Sequence, residues 1–239
     1  MNLGPFFTTH THDAGATAQP PWRPMGELVT DPAVLADRVG TVREYLAAGS
    51  GRPPDAVALR VAASVTHLGL VARLVSPVLA VAVGAGALLD VDLADTWWQP
   101  TVGGAFPLSV SSGDTPVDPA RLAGLVAARV LDGPVRTLGE AVRVMSVSDR
   151  VLWGNVASAV HGAASMIVSA RPSWAERART LTAGLLDLPP LAGTGSTVDG
   201  RFRRRSCCLI YRAAPDAAGP VCGDCVLGTP RSRPSASGT

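Results

Sequence analysis

The amino-acid sequence predicts a mainly α fold, a helical bundle that carries a small cysteine-bearing appendage near its C-terminus. Three observations predict this. Apolar residues recur at helical spacing, Asp-Pro pairs mark helix starts, and all four cysteines lie in one short C-terminal segment. The 239 residues can bury a sizeable core. Their contents of 17% charged and 47% apolar residues exclude a mostly disordered protein.

The predicted helices begin at recognisable caps. Asp31 and Asp118 each precede a proline, which places a capping carboxylate before a residue that suits the first helical position. Another helix is expected from residue 54 onward, and Pro77 is expected to kink or end it. The apolar run 74–89 would then form the next helix, at the centre of the core.

Changes in composition divide the chain into segments. Tryptophans, prolines and alternating residues around 95–111 predict a loop or a short β-hairpin within the otherwise helical body. The predicted segments are an irregular lead-in at 1–26, a helical body at 27–191, a linker at 192–202, the cysteine-bearing segment at 203–228 and a disordered tail at 229–239.

Charge and hydropathy limit the expected partners and compartment. A net charge of +2 gives no reason to expect nucleic acid as a partner. The apolar run 74–89 is shorter than the roughly 20 residues that span a bilayer, so it is interpreted as a buried helix, while peripheral membrane contact stays open. The N-terminus lacks the pattern of a secretory signal, and disulfides among clustered cysteines would join no distant parts of the chain. A cytoplasmic location is therefore expected.

The cysteine segment has the spacing of a metal site. Cys207 and Cys208 are adjacent, thirteen residues follow, and Cys222 and Cys225 then form a Cys-Gly-Asp-Cys knuckle. Such a knuckle turns back on itself and can direct two thiolates at one site. The spacer is expected to run as a strand, a turn and a returning strand, which would place the adjacent cysteines opposite the knuckle.

Two kinds of metal centre compete for four converging thiolates. Structural zinc usually takes its ligands from two knuckles. Adjacent cysteines point apart in extended backbone, so they suit the two irons of a [2Fe–2S] cluster better than a single zinc ion. The cluster is the favoured interpretation, and zinc, a vicinal disulfide and unliganded thiols are the alternatives.

The residues around the cysteines resemble a known family. Residues 204–212 (RRSCCLIYR) with 222–227 (CGDCVL) resemble the C-terminal signature of the FhuF-like ferric-siderophore reductases. Residues 62–74 and 152–159 resemble the N-terminal and central helical motifs of that family. The resemblance thus extends over about residues 30–228, and the cysteine motif is its specific part.

The resemblance implies a cytoplasmic protein that holds a [2Fe–2S] cluster on its four cysteines and passes one electron to an Fe(III)–siderophore chelate. An external donor, a ferredoxin or a flavin- or NAD(P)H-dependent reductase, is expected, because the chain has no Gly-rich dinucleotide fingerprint. The spacer between Cys208 and Cys222 is longer than in the family, with the extra residues in 213–219. Extra residues at the tip of the hairpin expected in this spacer would leave the geometry of the four cysteines intact.

Two other functions remain open at this point. An iron–sulfur electron carrier, or a redox or iron sensor, would use the same cluster without reducing a siderophore. The sequence shows no basic recognition helix of the kind that a nucleic-acid-binding sensor would use. A carrier would not need some 200 residues of helical body, whereas a protein that holds a bulky chelate would.

Several further residues are candidates for adjusting the cluster or binding a partner. The basic residues that flank the cysteines are Arg203, Arg204, Arg205 and Arg212. Their charges would stabilise the reduced cluster or attract an anionic chelate or an acidic donor, and a solvated run of charges is the alternative. Gly223 and Asp224 are expected to shape the knuckle and direct backbone N–H groups at the thiolates. Trp97 and Trp98 would either line a docking face for a flat chelate or pack in the core and at its rim.

The histidines and one asparagine are expected to have structural roles or none. His67 and His161 lie within apolar helical patterns and are interpreted as hydrogen-bonded core residues. Asn155 is interpreted as a helix-packing residue that caps a helix or hydrogen-bonds a neighbouring turn. His10 and His12 are assigned to a mobile tail.

Overall fold

The computed structural model describes residues 3–198 and 201–228, so the predicted tail at 229–239 lies outside the described residues. Helices dominate, which confirms the prediction of a mainly α fold. The helices are α1 (Glu27–Thr30), α2 (Pro32–Gly49), α3 (Leu59–Ala85), α4 (Pro119–Val126), α5 (Arg136–Arg143), α6 (Asp149–Ala170) and α7 (Ala175–Asp187). A π-helical stretch, Ala127–Val135, joins α4 to α5.

Short strands in the described residues form three small sheets beside the helices. The strands are β1 (His10–His12), β2 (Arg23–Pro24), β3 (Ala87–Leu89), β4 (Trp97–Trp98), β5 (Leu108–Ser111), β6 (Asp114–Pro116), β7 (Gly195–Val198) and β8 (Arg201–Arg204). One sheet has the order β1-β5-β4-β2, while β3 pairs with β6 and β7 pairs with β8. Because β4 and β5 pair antiparallel, with Trp97 opposite Ser109, the hairpin predicted around 95–111 is confirmed.

The N-terminal lead-in is more ordered than its composition predicts. β1 pairs in parallel with β5, and β2 pairs with β4. The His12 ring lies 2.8 Å from Ser109 Oγ and 2.9 Å from the Asp95 carbonyl oxygen, and it stacks on Trp97. The assignment of His10 and His12 to a mobile tail was therefore wrong. A three-residue strand of sequence His-Thr-His is too short for an alternating pattern to reveal it.

Helix α3 runs for 27 residues through the centre of the bundle. Pro77 lies inside it and does not end it, so the predicted division into two helices was wrong. The neighbouring side chains Leu74, Val78 and Leu79 are at most 2% exposed. Burial of each such side chain stabilises the fold by about 1.5–3 kcal/mol. Together they offset the roughly 3 kcal/mol that proline costs inside a helix.

The core lies between α3 and α6, which pack along each other, with α2 and α7 flanking them. By length and composition, α3 and α6 could each cross a membrane. In the most apolar 18-residue stretch of each helix, 61% of the residues of α3 and 56% of those of α6 are instead buried within the described structure. They therefore act as the central helices of a folded core.

After α7 the chain forms a β-hairpin before it reaches the cysteines. β7 and β8 pair antiparallel, with Gly195 opposite Arg204, partly within the stretch 192–202 that composition suggested as a linker. The spacer between the cysteine pairs contains two 3-10 turns, Ile210–Ala213 and Pro215–Ala217. The predicted strand, turn and returning strand in this spacer was therefore wrong. A proline in the second turn cannot donate the hydrogen bond that a strand pairing would require.

Candidate metal centre

The four cysteines come together where β8 ends against α3 and α6. The backbone N–H of Arg204 donates to the carbonyl oxygen of Asp224 at 3.1 Å, which holds the knuckle beside the adjacent cysteines. The spacer is fixed to the end of α2, because Ser50 Oγ donates to the carbonyl oxygen of Ala213 at 3.1 Å. Both arms of the segment are thus attached to the folded body.

The sulfurs face each other in pairs, each with one member from the adjacent cysteines and one from the knuckle. Cys208 Sγ and Cys222 Sγ are 3.6 Å apart, and Cys225 lies near enough to Cys207 to contribute, after burial, to the raised pKa of Cys207. Two thiolates on one tetrahedral metal, with bonds of about 2.3 Å, lie roughly 3.8 Å apart. No disulfide joins these thiols. Within the described residues, no three His, Cys, Asp or Glu side chains are grouped for a single ion.

Backbone N–H groups point at two of the sulfurs. The N–H of Leu209 donates to Cys207 Sγ at 3.3 Å, and the N–H of Leu227 donates to Cys225 Sγ at 3.4 Å. Each donor lies two residues after its cysteine. Leu209 has a φ of 70°, in the left-handed region, so the chain turns sharply after the adjacent cysteines. Hydrogen bonds of this kind stabilise thiolates.

Hydrogen bonding and burial change the pKa values of the thiols. The hydrogen bond between Cys208 and Cys222 lowers the pKa of Cys208 to about 6, although burial opposes it. The same bond and burial raise the pKa of Cys222. Burial raises the pKa of Cys207. Cys208 is therefore largely a thiolate near neutral pH, which is the form that binds metal.

A buried chain of hydrogen bonds, the Ser64–Asn155–Arg204 network, connects the cysteines to the helices. Ser64 Oγ on α3 donates to the Cys208 carbonyl oxygen at 2.9 Å. Asn155 on α6 donates to the Ser64 carbonyl oxygen at 3.0 Å and accepts from Arg204 Nη2 at 3.0 Å. Arg204 Nε donates to the Ser206 carbonyl oxygen at 2.7 Å. Asn155 thus joins two helices and a strand, and its hydrogen bonds reach further than the neighbouring turn expected for it.

The four flanking arginines have different environments. Arg204 is buried, and its charge helps to lower the pKa of a cysteine thiol. Arg205 and Arg212 are exposed. Arg203 donates to the carbonyl oxygen of Gly228 and so fixes the end of the segment. Among the four, Arg204 is the one with both burial and proximity to the sulfurs.

The tryptophan pair belongs to the four-stranded sheet. Trp97 stacks on His12 with 3.7 Å between ring centres. Trp98 is buried, donates from Nε1 to Glu27 at 3.1 Å and meets Phe106 edge-on. These contacts give no support to a docking role beside the cysteines.

The knuckle forms part of the wall of a cleft of about 940 Å³ that α6, α7 and the β7–β8 hairpin also line. Gly223 and Asp224 lie on this wall. His161 lines the cleft as well, stacks on Phe202 with 4.9 Å between ring centres, and lies 3.3 Å from Ser165 Oγ. Burial lowers the pKa of His161, while the charge of Asp224 opposes this shift. The interpretation of His161 as a core residue was therefore wrong, because its half-buried ring faces a cleft.

A second cavity, of about 100 Å³, adjoins His67 between α3, α5 and α6. His67 is 0% exposed, and neither ring nitrogen has a hydrogen-bond partner among the described residues. Burial lowers the pKa of this imidazole to about 4. His67 is thus a core residue, as predicted, but it lacks the hydrogen bonds that the prediction gave it.

Sequence reasoning missed several residues around the site. Ser64 and Ser206 belong to the buried surroundings of the cysteines, and Arg179 and Arg201 line the cleft. A signal existed for Ser64, since a serine interrupts an apolar helical stretch there. For the arginines no local pattern distinguishes a cleft residue from a solvated one.

Comparison with known proteins bears on the cysteine segment. Residues 204–227 match the family model described as the FhuF 2Fe-2S C-terminal domain. The C-terminal segment is therefore similar to the 2Fe-2S domain of that family. Its cofactor is a [2Fe–2S] cluster, and four thiols in two facing pairs fit the donor set that this cluster requires. None of the curated proteins matches the chain. The resemblance at residues 62–74 and 152–159 stays a prediction.

Proposed function

We propose that the protein reduces Fe(III)–siderophore chelates by one electron and so releases Fe(II) in the cytoplasm. Its [2Fe–2S] cluster would be held by Cys207, Cys208, Cys222 and Cys225. The observation that carries this proposal is a FhuF-type domain in the wall of a cleft of about 940 Å³. Hard oxygen ligands hold Fe(III) more strongly than Fe(II), so one electron is enough to loosen the metal.

The residues around the cysteines prepare the site for electron transfer. When bound, the cluster supplies a single electron. The buried charge of Arg204 and the N–H groups of Leu209 and Leu227 favour the reduced, more negative form. The Ser64–Asn155–Arg204 network holds the ligand loop in place, which limits its rearrangement when the charge changes.

The electron must reach the cluster from a separate donor, a ferredoxin or a flavin- or NAD(P)H-dependent reductase. The side chains of Val221, Val226 and Leu227 are exposed around the knuckle, at 45%, 42% and 55%. A small apolar surface of this kind suits the brief docking of a redox partner.

The test is a reoxidation experiment under anaerobic conditions. Protein reduced with dithionite and freed of excess reductant is mixed with substoichiometric ferric siderophores and a chromogenic Fe(II) chelator. We expect the visible and EPR signals of the oxidised and reduced [2Fe–2S] cluster to interconvert. One trapped Fe(II) should form for each cluster that is reoxidised.

The control is the corresponding Ga(III) chelate, which has the same shape and cannot accept the electron. It should leave the cluster reduced. A reduced cluster that no ferric chelate reoxidises would contradict the proposal and favour an electron carrier or a sensor. A purified protein with one zinc and no visible absorption would contradict the redox function itself.

A further inference from the structure

The cleft beside the knuckle has the dimensions of a small-molecule site. Its volume of about 940 Å³ lies near the top of the range of roughly 300–1,000 Å³ found for ligand pockets. Residues of α6 form one wall, residues of α7 form another, and the β7–β8 hairpin with the knuckle closes the third side. The size of the cleft suits a bulky ligand.

The cleft also lies directly against the proposed cluster ligands. Gly223 and Asp224 line it, and they are the two residues between Cys222 and Cys225. Consecutive Cα atoms are about 3.8 Å apart, so a ligand that contacts the knuckle lies within a few ångströms of the cysteine backbone. Among the described residues that line the cleft, Gly223 and Asp224 are the ones that adjoin cysteines in the sequence.

The charges around the cleft favour an anion. Arg179 from α7 and Arg201 from β8 line it, and neither forms an ion pair with a described residue. Asp224 contributes one negative charge, and burial lowers the pKa of His161, which disfavours a positive charge on its ring. The apolar surface between them includes Phe202. The lining therefore combines an apolar surface with a net positive charge.

We infer that this cleft binds the ferric chelate, and that Arg179 and Arg201 make it favour a chelate with a net negative charge, such as a tris-catecholate. The inference rests on the proposed function, since it places the substrate of that reaction. Apolar contact with the ligand backbone gives affinity. The two guanidiniums distinguish an anionic chelate from a neutral tris-hydroxamate.

The first experiment fills the cleft. Gly162 on α6 is exposed, lines the cleft, and an added Cβ there would meet nothing within 4 Å. Binding of the Ga(III) tris-catecholate is measured by calorimetry for the wild type and for Gly162→Phe, and for Ala183→Phe on the facing wall. We expect each substitution to weaken binding at least about tenfold. Gly124→Phe is the matched control, an exposed helical glycine with an equally open Cβ position that lies outside the cleft lining.

The second experiment removes the charges. The double variant Arg179→Gln with Arg201→Gln should bind the Ga(III) tris-catecholate about tenfold more weakly at low salt. Its affinity for a neutral Ga(III) tris-hydroxamate should change less than about twofold. Arg177→Gln is the control, because it removes a charge from the same helix outside the cleft lining. Circular dichroism and cluster absorption check that each variant is folded and loaded.

Redox-inert gallium separates this inference from the proposed function. If ferric chelates reoxidise the cluster but Gly162→Phe and Ala183→Phe bind gallium chelates like the wild type, the cleft is not the binding site and the reductase function stands. If the wild type binds gallium chelates in the cleft but ferric chelates do not reoxidise the cluster, the site stands and the reductase function fails. Equal losses for the anionic and neutral chelates in the arginine variant would overturn the charge preference.

Discussion

Arg204 places a buried positive charge beside the adjacent cysteines. Reduction adds one negative charge to the cluster, so this guanidinium stabilises the reduced form. We expect Arg204→Gln to lower the midpoint potential by on the order of 50 mV, measured by redox titration followed with EPR. Arg205→Gln removes the neighbouring, exposed charge and should shift the potential much less, since water screens it. Equal shifts in the two variants would contradict a special role for Arg204.

The pairing of the sulfurs predicts which disulfide forms when the cluster is absent. Cys208 and Cys222 have sulfurs 3.6 Å apart. In cluster-free protein, oxidised glutathione should convert these two thiols to a disulfide while it is reduced to two thiols. The double variant Cys207→Ser with Cys225→Ser leaves this facing pair intact and should form the disulfide quickly. Cys207→Ser with Cys222→Ser leaves a mismatched pair and should be slower, as thiol titration would show. Equal rates would contradict the pairing.

His67 predicts a specific loss of stability in acid. The folded protein lowers the pKa of His67 to about 4, whereas the unfolded chain has the usual value near 6.5. Between pH 6.5 and 4, His67 is therefore mostly protonated in the unfolded chain and mostly neutral in the folded protein. The free energy of unfolding should fall by roughly 3 kcal/mol between pH 6.5 and 4 from this group alone.

The variant His67→Leu isolates this contribution of His67. Urea unfolding of cluster-free protein at pH 7 and pH 4 should show a decline smaller by about that amount than in the wild type. His10→Leu, at an exposed position, should leave the decline unchanged. A decline of the same size in His67→Leu would show that His67 does not remain neutral in the folded state.

At the scale of elements, α3, α6 and β8 are joined by polar contacts as well as by the apolar core. Asn155 on α6 bonds both Ser64 on α3 and Arg204 on β8. This arrangement places the backbone of Cys208 against α3, where Ser64 Oγ bonds its carbonyl oxygen. The cluster segment is therefore positioned by the helices rather than by its own short turns.

Removal of Asn155 should loosen this junction. Asn155→Leu introduces an apolar side chain of similar size and leaves a guanidinium and a carbonyl oxygen buried without their partner. We expect the free energy of unfolding to fall by about 2–4 kcal/mol and the cluster absorption per protein to decrease. Ser169→Leu, an exposed change on the same helix, should alter neither. Full cluster loading in Asn155→Leu would contradict the positioning role.

At the scale of the whole molecule, the helical body and the cluster segment have largely separate apolar contacts. The main core contains Phe202 from β8. The segment after Phe202 packs in a second, smaller group of apolar side chains, in which Leu209 and Ala213 lie with Ala47, Val57 and Val61. The main core therefore does not depend on the cysteines.

Removal of the cluster should loosen the C-terminal segment and leave the body folded. After cluster removal with ferricyanide and EDTA, we expect helical circular dichroism within about 10% of the loaded protein, since the main core is retained. Trypsin should then cut at arginines between 203 and 212 that the loaded protein protects, as mass spectrometry of the fragments would show. Loss of helical signal together with the cluster would contradict this separation.

The sequence by itself determined the features that depend on residues close together in the chain. Asp31 and Asp118 cap their helices as predicted, each accepting from the N–H two residues later at 2.9 Å. The cysteine spacing indicated the cluster, and the match at 204–227 agrees with it. Helical periodicity indicated the mainly α body.

The tertiary structure alone decided how distant residues meet. Helix α3 continues past Pro77, and a cleft lies between α6, α7 and the knuckle. Ser64 bonds Cys208, 144 positions away in the sequence, and Arg204 bonds Asn155, 49 positions away. Periodicity and spacing describe one element at a time. Contacts between elements depend instead on which faces pack together, and that is decided by the burial of the whole core at once.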